Sequence, residues 1–398
     1  MSSTPSSPPR PESAWRVFFA CAPGLEPALR NELVRLFPPL AGTLDRVPRK
    51  GGIEVRLTTS QATRAFLHVR CADGIRVRVG ERRTPGFREL DAFLQRIPWH
   101  AWLQERATVK VYVTCRKSRL MHTDAIADRV AQAMHDARGA THVKTRGEGH
   151  LAVHVRLEDD VCTVSMDALL GLAHKRGYRT RVGTAPLRES LAACVVELLP
   201  VWPPAGLWDP CCGSGTLLLE AALRARGGPV RSEADGAWPV WPAWPRQSAA
   251  AEPAVGTSGP RLFGSDLRAS EVENARANFR DAGWERSVER LEVADLRAGG
   301  LDVPEGTWIV SNLPYGRRSL DPAQLDPLYH AVERSFGRSR GRIEGALVVT
   351  RRDGALARRA GWTRVVDFDN RGVGVSLYQL APPPSGRRAP RARGRDGA

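Results

Sequence analysis

The sequence predicts an α/β protein: a Rossmann-like, doubly wound, mostly parallel sheet with an antiparallel last strand, preceded by an N-terminal α+β region. Three observations carry this. From Gly206 onward, short apolar segments alternate with helical ones. A glycine-rich turn, Gly213-Ser214-Gly215-Thr216, joins the first of these strands to its helix. Before residue 170, Ile53 to Leu57 and Ile75 to Val79 alternate apolar and polar residues, as half-buried strands do. A length of 398 residues allows two or three domains, each with its own core.

Residues 1–13 are rich in Ser and Pro and offer little to bury, which predicts a disordered tail. Trp15 to Cys21 reads as a buried strand, and Leu25, Leu29, Leu33 and Leu36 form the apolar stripe of the helix after it. Two more strands, Ile53 to Leu57 and Ile75 to Val79, flank a helix over Ala62 to Val69 and complete a unit spanning 14–86. A second unit, 87–168, contains the strand Val109 to Val113, a helix carrying Ile126, Val130 and Met134, and a hairpin of Leu151 to Leu157 with Val161 to Met166. Arg116, Lys117 and Arg119 form a basic cluster there, with His142, Lys144 and Arg146 nearby; a phosphate-holding surface and a solvated basic face both fit it.

The third region, 169–381, holds the parallel sheet. Its strands are expected to end at Asp209, Asp266, Asp295 and Asn312, followed by Ala346 to Thr350 and an antiparallel pair over Arg364 to Phe368 and Val373 to Leu380. An insertion at 226–260, rich in Trp and Pro, reads as an extended surface segment whose tryptophans pack as a lid or brace. Residues 382–398 form an arginine-rich, disordered tail.

The chain has 59 Lys plus Arg against 43 Asp plus Glu, a net charge of +16, which favours a polyanionic partner. An arginine-rich genome is the competing explanation. The seven cysteines are scattered without a C-x-x-C pair, so they indicate neither a disulfide frame nor a zinc site, and read as thiols in a reducing cytoplasm. The sequence shows no signal peptide and no long apolar run, so neither secretion nor a membrane span is expected.

The glycine turn has the first two glycines of a dinucleotide fingerprint without the third, which weakens a nicotinamide reading. Asp209 instead places a carboxylate where the ligand sits, suiting a cofactor with a cationic amino-acid end such as S-adenosyl-L-methionine. Cys211, Gly213, Gly215 and Thr216 are the adjoining contacts. Asp266 is positioned to accept from both ribose hydroxyls and Asp295 from the adenine amino group. Asn312-Leu313-Pro314-Tyr315, at the end of the fourth strand, can grip an exocyclic amine. The Asn312 side-chain carbonyl and the Leu313 backbone carbonyl accept its N–H groups, Pro314 stiffens the loop, and Tyr315 offers a ring for a flipped base.

At Leu172-Ala173-His174-Lys175-Arg176-Gly177-Tyr178-Arg179, then Ala185-Pro186-Leu187-Arg188-Glu189-Ser190-Leu191-Ala192-Ala193, the chain resembles the THUMP-domain RNA methyltransferases. It is similar to their branch of large-subunit ribosomal RNA guanine-N2 enzymes. Ala22-Pro23-Gly24-Leu25-Glu26 resembles the family's opening. The resemblance implies a class I methyltransferase sheet, a ferredoxin-like unit (14–86) plus a THUMP module (87–168) that hold RNA, and guanine N2 as methyl acceptor. It also implies that Pro186 and Leu187 line the cofactor pocket and that the basic run Lys175, Arg176 and Arg179 meets RNA. One departure stands out: Leu313 occupies the second position of the family's Asn-Pro-Pro-Tyr, a change that spares the backbone carbonyl. The first-choice substrate is 23S ribosomal RNA, with transfer RNA the rival. A DNA adenine-N6 enzyme, a protein glutamine-N5 enzyme and a non-catalytic RNA-binding assembly factor are the remaining alternatives.

Overall fold

The computed structural model describes residues 14–44, 51–142, 150–183, 187–245, 258–298, 303–315, 327–334, 343–352, 354–370 and 372–380. Both expected tails, the basic residues Lys144 and Arg146, and Pro186 lie outside these residues.

The N-terminal half is built on β1 (Trp15–Ala20), β2 (Gly52–Leu57), β3 (Gly74–Arg83), β4 (Thr108–Arg116), β5 (Thr141–His142), β6 (Leu151–Glu158) and β7 (Val161–Asp167). The two units read from the sequence share one seven-stranded sheet, ordered β2-β1-β3-β7-β6-β4-β5. β3 joins them, pairing antiparallel with β1 on one side and β7 on the other, and a bulge between Arg78 and Gly80 bends it. The β6–β7 hairpin turns through Asp159 and Asp160, whose φ angles of 50° and 64° suit the twist of the flanking strands.

Helices α1 (Glu26–Leu36), α3 (Thr59–His68), α4 (Phe87–Leu94) and α6 (Thr123–Arg138), with the short turns α2 (Ala41–Leu44) and α5 (Trp99–Trp102), accompany this sheet. α3 starts with a capping box: the Thr58 hydroxyl accepts from the Gln61 N–H, and the Gln61 side chain accepts from the Thr58 N–H. Leu25, Leu29 and Leu33 are buried as the stripe predicts, while Leu36 is only half-buried at the helix end. Val17, Phe19, Ile53, Val77, Val153 and Val164 share a core with the helices. The alternate positions form the opposite face, which carries arginines and aromatics.

The C-terminal half contains β8 (Gly206–Asp209), β9 (Arg261–Asp266), β10 (Arg290–Val293), β11 (Thr307–Asn312), β12 (Ile343–Arg351), β13 (Trp362–Asn370) and β14 (Val373–Leu380). Its order is β10-β9-β8-β11-β12-β14-β13, parallel through β12 and antiparallel in the last two pairs. Helices α7 (Glu189–Glu197), α8 (Thr216–Arg226), α9 (Ala269–Asp281) and α10 (327–334) complete the unit. The strand order reverses between β8 and β11, the place where open α/β sheets form their ligand crevice. β10 ends at Val293, so Asp295 stands two residues past the strand and does not close it as expected.

Two devices join the halves. The first is the described part of the Trp/Pro insertion: its prolines are exposed while Trp238, Trp241 and Trp244 are buried as a brace against the N-terminal half, in line with the expected packing of its tryptophans. Trp244 lies 4.8 Å from Trp15, Trp238 5.1 Å from Phe66 and Trp241 5.4 Å from Trp102, measured between ring centroids. The second is a buried charged seam centred on Arg70. Its guanidinium reaches Glu32 of α1 at 3.2 Å, Glu197 of α7 at 3.1 Å and Glu220 of α8 at 3.4 Å. Glu32 also accepts the backbone N–H of Cys71 at 2.7 Å and of Arg70 at 3.0 Å. Arg176 and Tyr178 both donate to Glu220, and Arg224 pairs with Glu197 at 3.3 Å.

Candidate active site

β8 delivers Asp209 into the crevice, and the chain then turns through Gly213 (φ 50°) and Gly215 (φ 84°) into α8. Gly215 is held close to α9, where an added Cβ would stand 3.3 Å from the Ala275 Cβ, so a side chain there is opposed by both space and backbone. Thr216 opens α8, and its hydroxyl accepts from Arg179 at 3.2 Å.

Asp209 is buried, and one of its oxygens accepts from the Cys211 N–H at 3.1 Å and the Ser311 hydroxyl at 2.7 Å. Burial pushes this carboxyl up to about 7; the Ser311 and Cys211 hydrogen bonds oppose the rise and repulsion from Asp266 adds to it. No arginine or lysine pairs with Asp209 among the described residues. Asp266, at the end of the neighbouring β9, accepts from the Gly213 N–H at 3.0 Å and the Arg268 N–H at 3.0 Å. It therefore shapes the glycine turn while keeping further lone pairs in the crevice. Asp295 differs. Arg297 grips it through Nη2 at 2.8 Å and Nε at 2.9 Å, and holds it below the usual carboxylate range.

β11 brings Asn312 to the other side of the crevice, one residue after the serine that bonds Asp209. The Asn312 Oδ1 is buried and has no hydrogen-bond partner among the described residues. The Leu313 N–H is tied to the Val349 carbonyl at 3.1 Å, and its side chain is fully buried in a cluster with Trp208, Phe263 and Val348. Leucine at this position thus adds core packing. The Pro314 and Tyr315 side chains are half-buried, and the Tyr315 hydroxyl accepts from the Asn370 amide at 2.8 Å. The continuation of this loop at Gly316 is outside the described residues.

The basic run before α7 divides. Lys175 is exposed, but Arg176 and Arg179 are corrected from RNA contacts to buried scaffold. Arg176 belongs to the charged seam. Arg179 pairs with Glu189 at 3.0 Å and donates to the Leu187 carbonyl at 2.9 Å, which fixes buried Leu187 beside the start of α8. In the N-terminal half, Arg116, Lys117 and Arg119 are exposed. Arg119 meets Asp160 at 2.9 Å and Arg116 meets Glu158 at 3.7 Å, so hairpin acids offset part of the cluster's charge.

Sequence reasoning missed three residues that hold this site. Ser311 had a signal, as the one small polar residue following the apolar Trp308-Ile309-Val310. Asn278 of α9 is fully buried and ties the Ser214 carbonyl (3.0 Å) to the Arg181 backbone (2.8 and 2.9 Å). Asn370 read only as part of a turn. Neither asparagine is identified by local pattern, because each acts across the fold.

Residues 176–380 match a family model described as UPF0020, RMKL-like, methyltransferase domain, and residues 86–167 match the THUMP domain. The chain is 30% identical over 344 residues to the ribosomal RNA large subunit methyltransferase K/L of Syntrophotalea carbinolica, covering 79% of this chain and 46% of that protein. It therefore spans about half the length of this curated relative. Among solved structures, SMU.472, crystallised as a complex with SAH, aligns with a TM-score of 0.75 at 23% identity, over 93% of this chain and 98% of that one. A predicted N6-adenine-specific DNA methylase from Listeria monocytogenes aligns equally well, with a TM-score of 0.75 at 23% identity over 93% and 97% of the two chains. At that identity the two structures speak for the fold, a class I methyltransferase sheet carrying an N-terminal THUMP region.

Proposed function

The chain belongs to the UPF0020 family of RMKL-like methyltransferase domains, and from that premise we propose that it methylates the exocyclic N2 of a guanine in structured RNA, first of all 23S ribosomal RNA. S-adenosyl-L-methionine is the methyl donor. The observation that carries this reading is the buried, unpartnered Asn312 Oδ1, set one residue from Ser311 and hence beside Asp209.

The crevice suits the donor. Asp209 is a buried carboxylate awaiting a cation, Asp266 keeps acceptors for ribose hydroxyls, and Gly213 and Gly215 keep side chains off the backbone that the ligand approaches. Cys211, Thr216 and Leu187 line the same end. Asp295, read as the acceptor for the adenine amino group, is gripped by Arg297. Bound, the donor supplies an electrophilic methyl carbon on a sulfonium.

The chain's own task is to hold the acceptor amine in line. Asn312 Oδ1 and the Leu313 carbonyl take its two N–H groups, localising a lone pair otherwise shared with the ring. The base rests on Tyr315, whose hydroxyl is fixed by Asn370. Positioning of this kind is worth roughly 7–11 kcal/mol in favourable intramolecular cases, and stacking about 1–3 kcal/mol per base. The N-terminal half, 14–168, holds the RNA through exposed Arg116, Lys117 and Arg119, and exposed Lys175 of the following segment adds a cation, all at the positions read from the sequence.

Nucleoside mass spectrometry of 23S and transfer RNA from cells lacking the protein tests the proposal. Loss of N2-methylguanosine from 23S RNA is expected. Loss from transfer RNA alone would move the substrate, and an unchanged profile in both would refute the reading.

A further inference from the structure

The sheet of the N-terminal half buries one face under helices; its other face reaches solvent at Tyr112, Thr114 and Arg156, while Phe18 and Ser165 on that face are buried. On the open face Tyr112 of β4 lies against His154 of β6, with ring centroids 5.0 Å apart and planes at 15°. Tyr112 remains 43% exposed, so the ring is not there to fill a core. His154 is held by Asp167 at 3.1 Å, and burial lowers its pKa further than Asp167 raises it, which keeps a neutral, fixed ring under the tyrosine.

Cations surround this pair. Lys110 Nζ stands 5.4 Å from the Tyr112 centroid, and Arg156, next along β6 on the same face, is exposed and pairs with Glu158 at 2.8 Å. A narrow groove beside the rings has Arg76 in its wall, and the buried Arg76 Nε has no hydrogen-bond partner among the described residues. Glu54, between Arg16 and Arg78, is already engaged by both, at 2.8 Å each.

From this juxtaposition we infer that the open sheet face around Tyr112 and His154 is a stacking platform for an unpaired stretch of the RNA substrate. The inference rests on the RNA reading above and gives it a location other than the hairpin cluster. A flat sheet cannot enter the deep groove of an RNA duplex, whereas bases released from pairing stack on exposed aromatics while arginines and lysines track the backbone. The ordered ring pair supplies the first element, and Lys110, Arg156 and Arg76 supply the second.

Fluorescence anisotropy of the full chain with a single-stranded oligoribonucleotide of about 10 nucleotides, and with a duplex of equal length, tests this. Tyr112→Ala should weaken single-strand binding roughly 5- to 150-fold, as loss of one base stack does, while Tyr112→Phe stays within about twofold. Arg156→Glu should lower the salt slope of binding by about 1 or more. Photocrosslinks from thiouridine-containing RNA should fall in β4 and β6. Unchanged affinity in Tyr112→Ala, or crosslinks confined to other elements, would overturn the platform. Methyl transfer measured in parallel separates the two readings: platform-dependent binding without any methylation refutes the proposed reaction alone, and methylation with Tyr112-independent binding refutes the platform alone.

Discussion

The charged seam and the crevice both bury carboxylates, and they treat them in opposite ways. In the seam, burial pushes the Glu32 carboxyl up, but Arg70, Arg35 and the N–H groups of Cys71 and Arg70 outweigh it and hold the group below the usual range. Arg70 itself is raised above the ordinary guanidinium value despite its burial, by Glu32, Glu220 and Glu197. In the crevice, Asp209 is just as buried but meets only a hydroxyl and an N–H, and its carboxyl rises to about 7. A matched buried carboxylate is held ionised by its partners, whereas an unmatched one is held back from ionising and is the proposed seat of a cation supplied from outside.

Substitutions can break this contrast, and the largest effect is expected in the seam. Arg70→Ala leaves three buried glutamates short of a partner and should destabilise the chain by about 3–5 kcal/mol in a urea titration. A loss below about 1 kcal/mol would mean that the seam behaves like a surface ion pair. Next comes Asn312, proposed to grip the acceptor amine. Asn312→Ala should reduce the methyl-transfer rate by about 100- to 1000-fold while cofactor affinity, measured by calorimetry, stays within about twofold. Equal loss of both would place Asn312 in the cofactor site.

Two acids sharpen the comparison on a smaller scale. Asp266→Ala removes the carboxylate proposed to take the ribose hydroxyls and should weaken the cofactor at least about tenfold, as expected for hydrogen bonds to a charged group. Asp295→Ala should change it less than about fivefold, because Arg297 already occupies that carboxylate. The reverse ranking would show that Asp295 releases Arg297 on binding.

Much of this was legible in the sequence because it is local. Alternation and strand-ending acids indicate the parallel sheet, and the spacing of the glycine turn and the Asn312 loop places both at one end of it. The continuity of the N-terminal sheet was not legible, since β3 pairs on both sides across a long sequence separation. The arginines misled most. Lys175, Arg176 and Arg179 read as one basic run, yet Arg176 and Arg179 point into matched acids, and only the tertiary fold decides which guanidiniums remain free for an anion. Likewise, tryptophan-proline pairs signal an extended segment but not the partner that covers it.

The central claim is that Asp209 is held for a cation, and its pH dependence tests this most directly. With a folded pKa of about 7, above the ordinary carboxyl value of 3.8, the group's contribution to stability is full below about pH 4 and is lost as pH rises towards 7. Asp209→Asn should therefore be more stable than the parent at pH 8. A cationic ligand needs the ionised carboxylate. Calorimetric affinity for S-adenosylhomocysteine should then rise about tenfold per pH unit up to about 7 and level off above it, with a flat profile in Asp209→Asn. A flat profile in the unsubstituted chain would contradict the account.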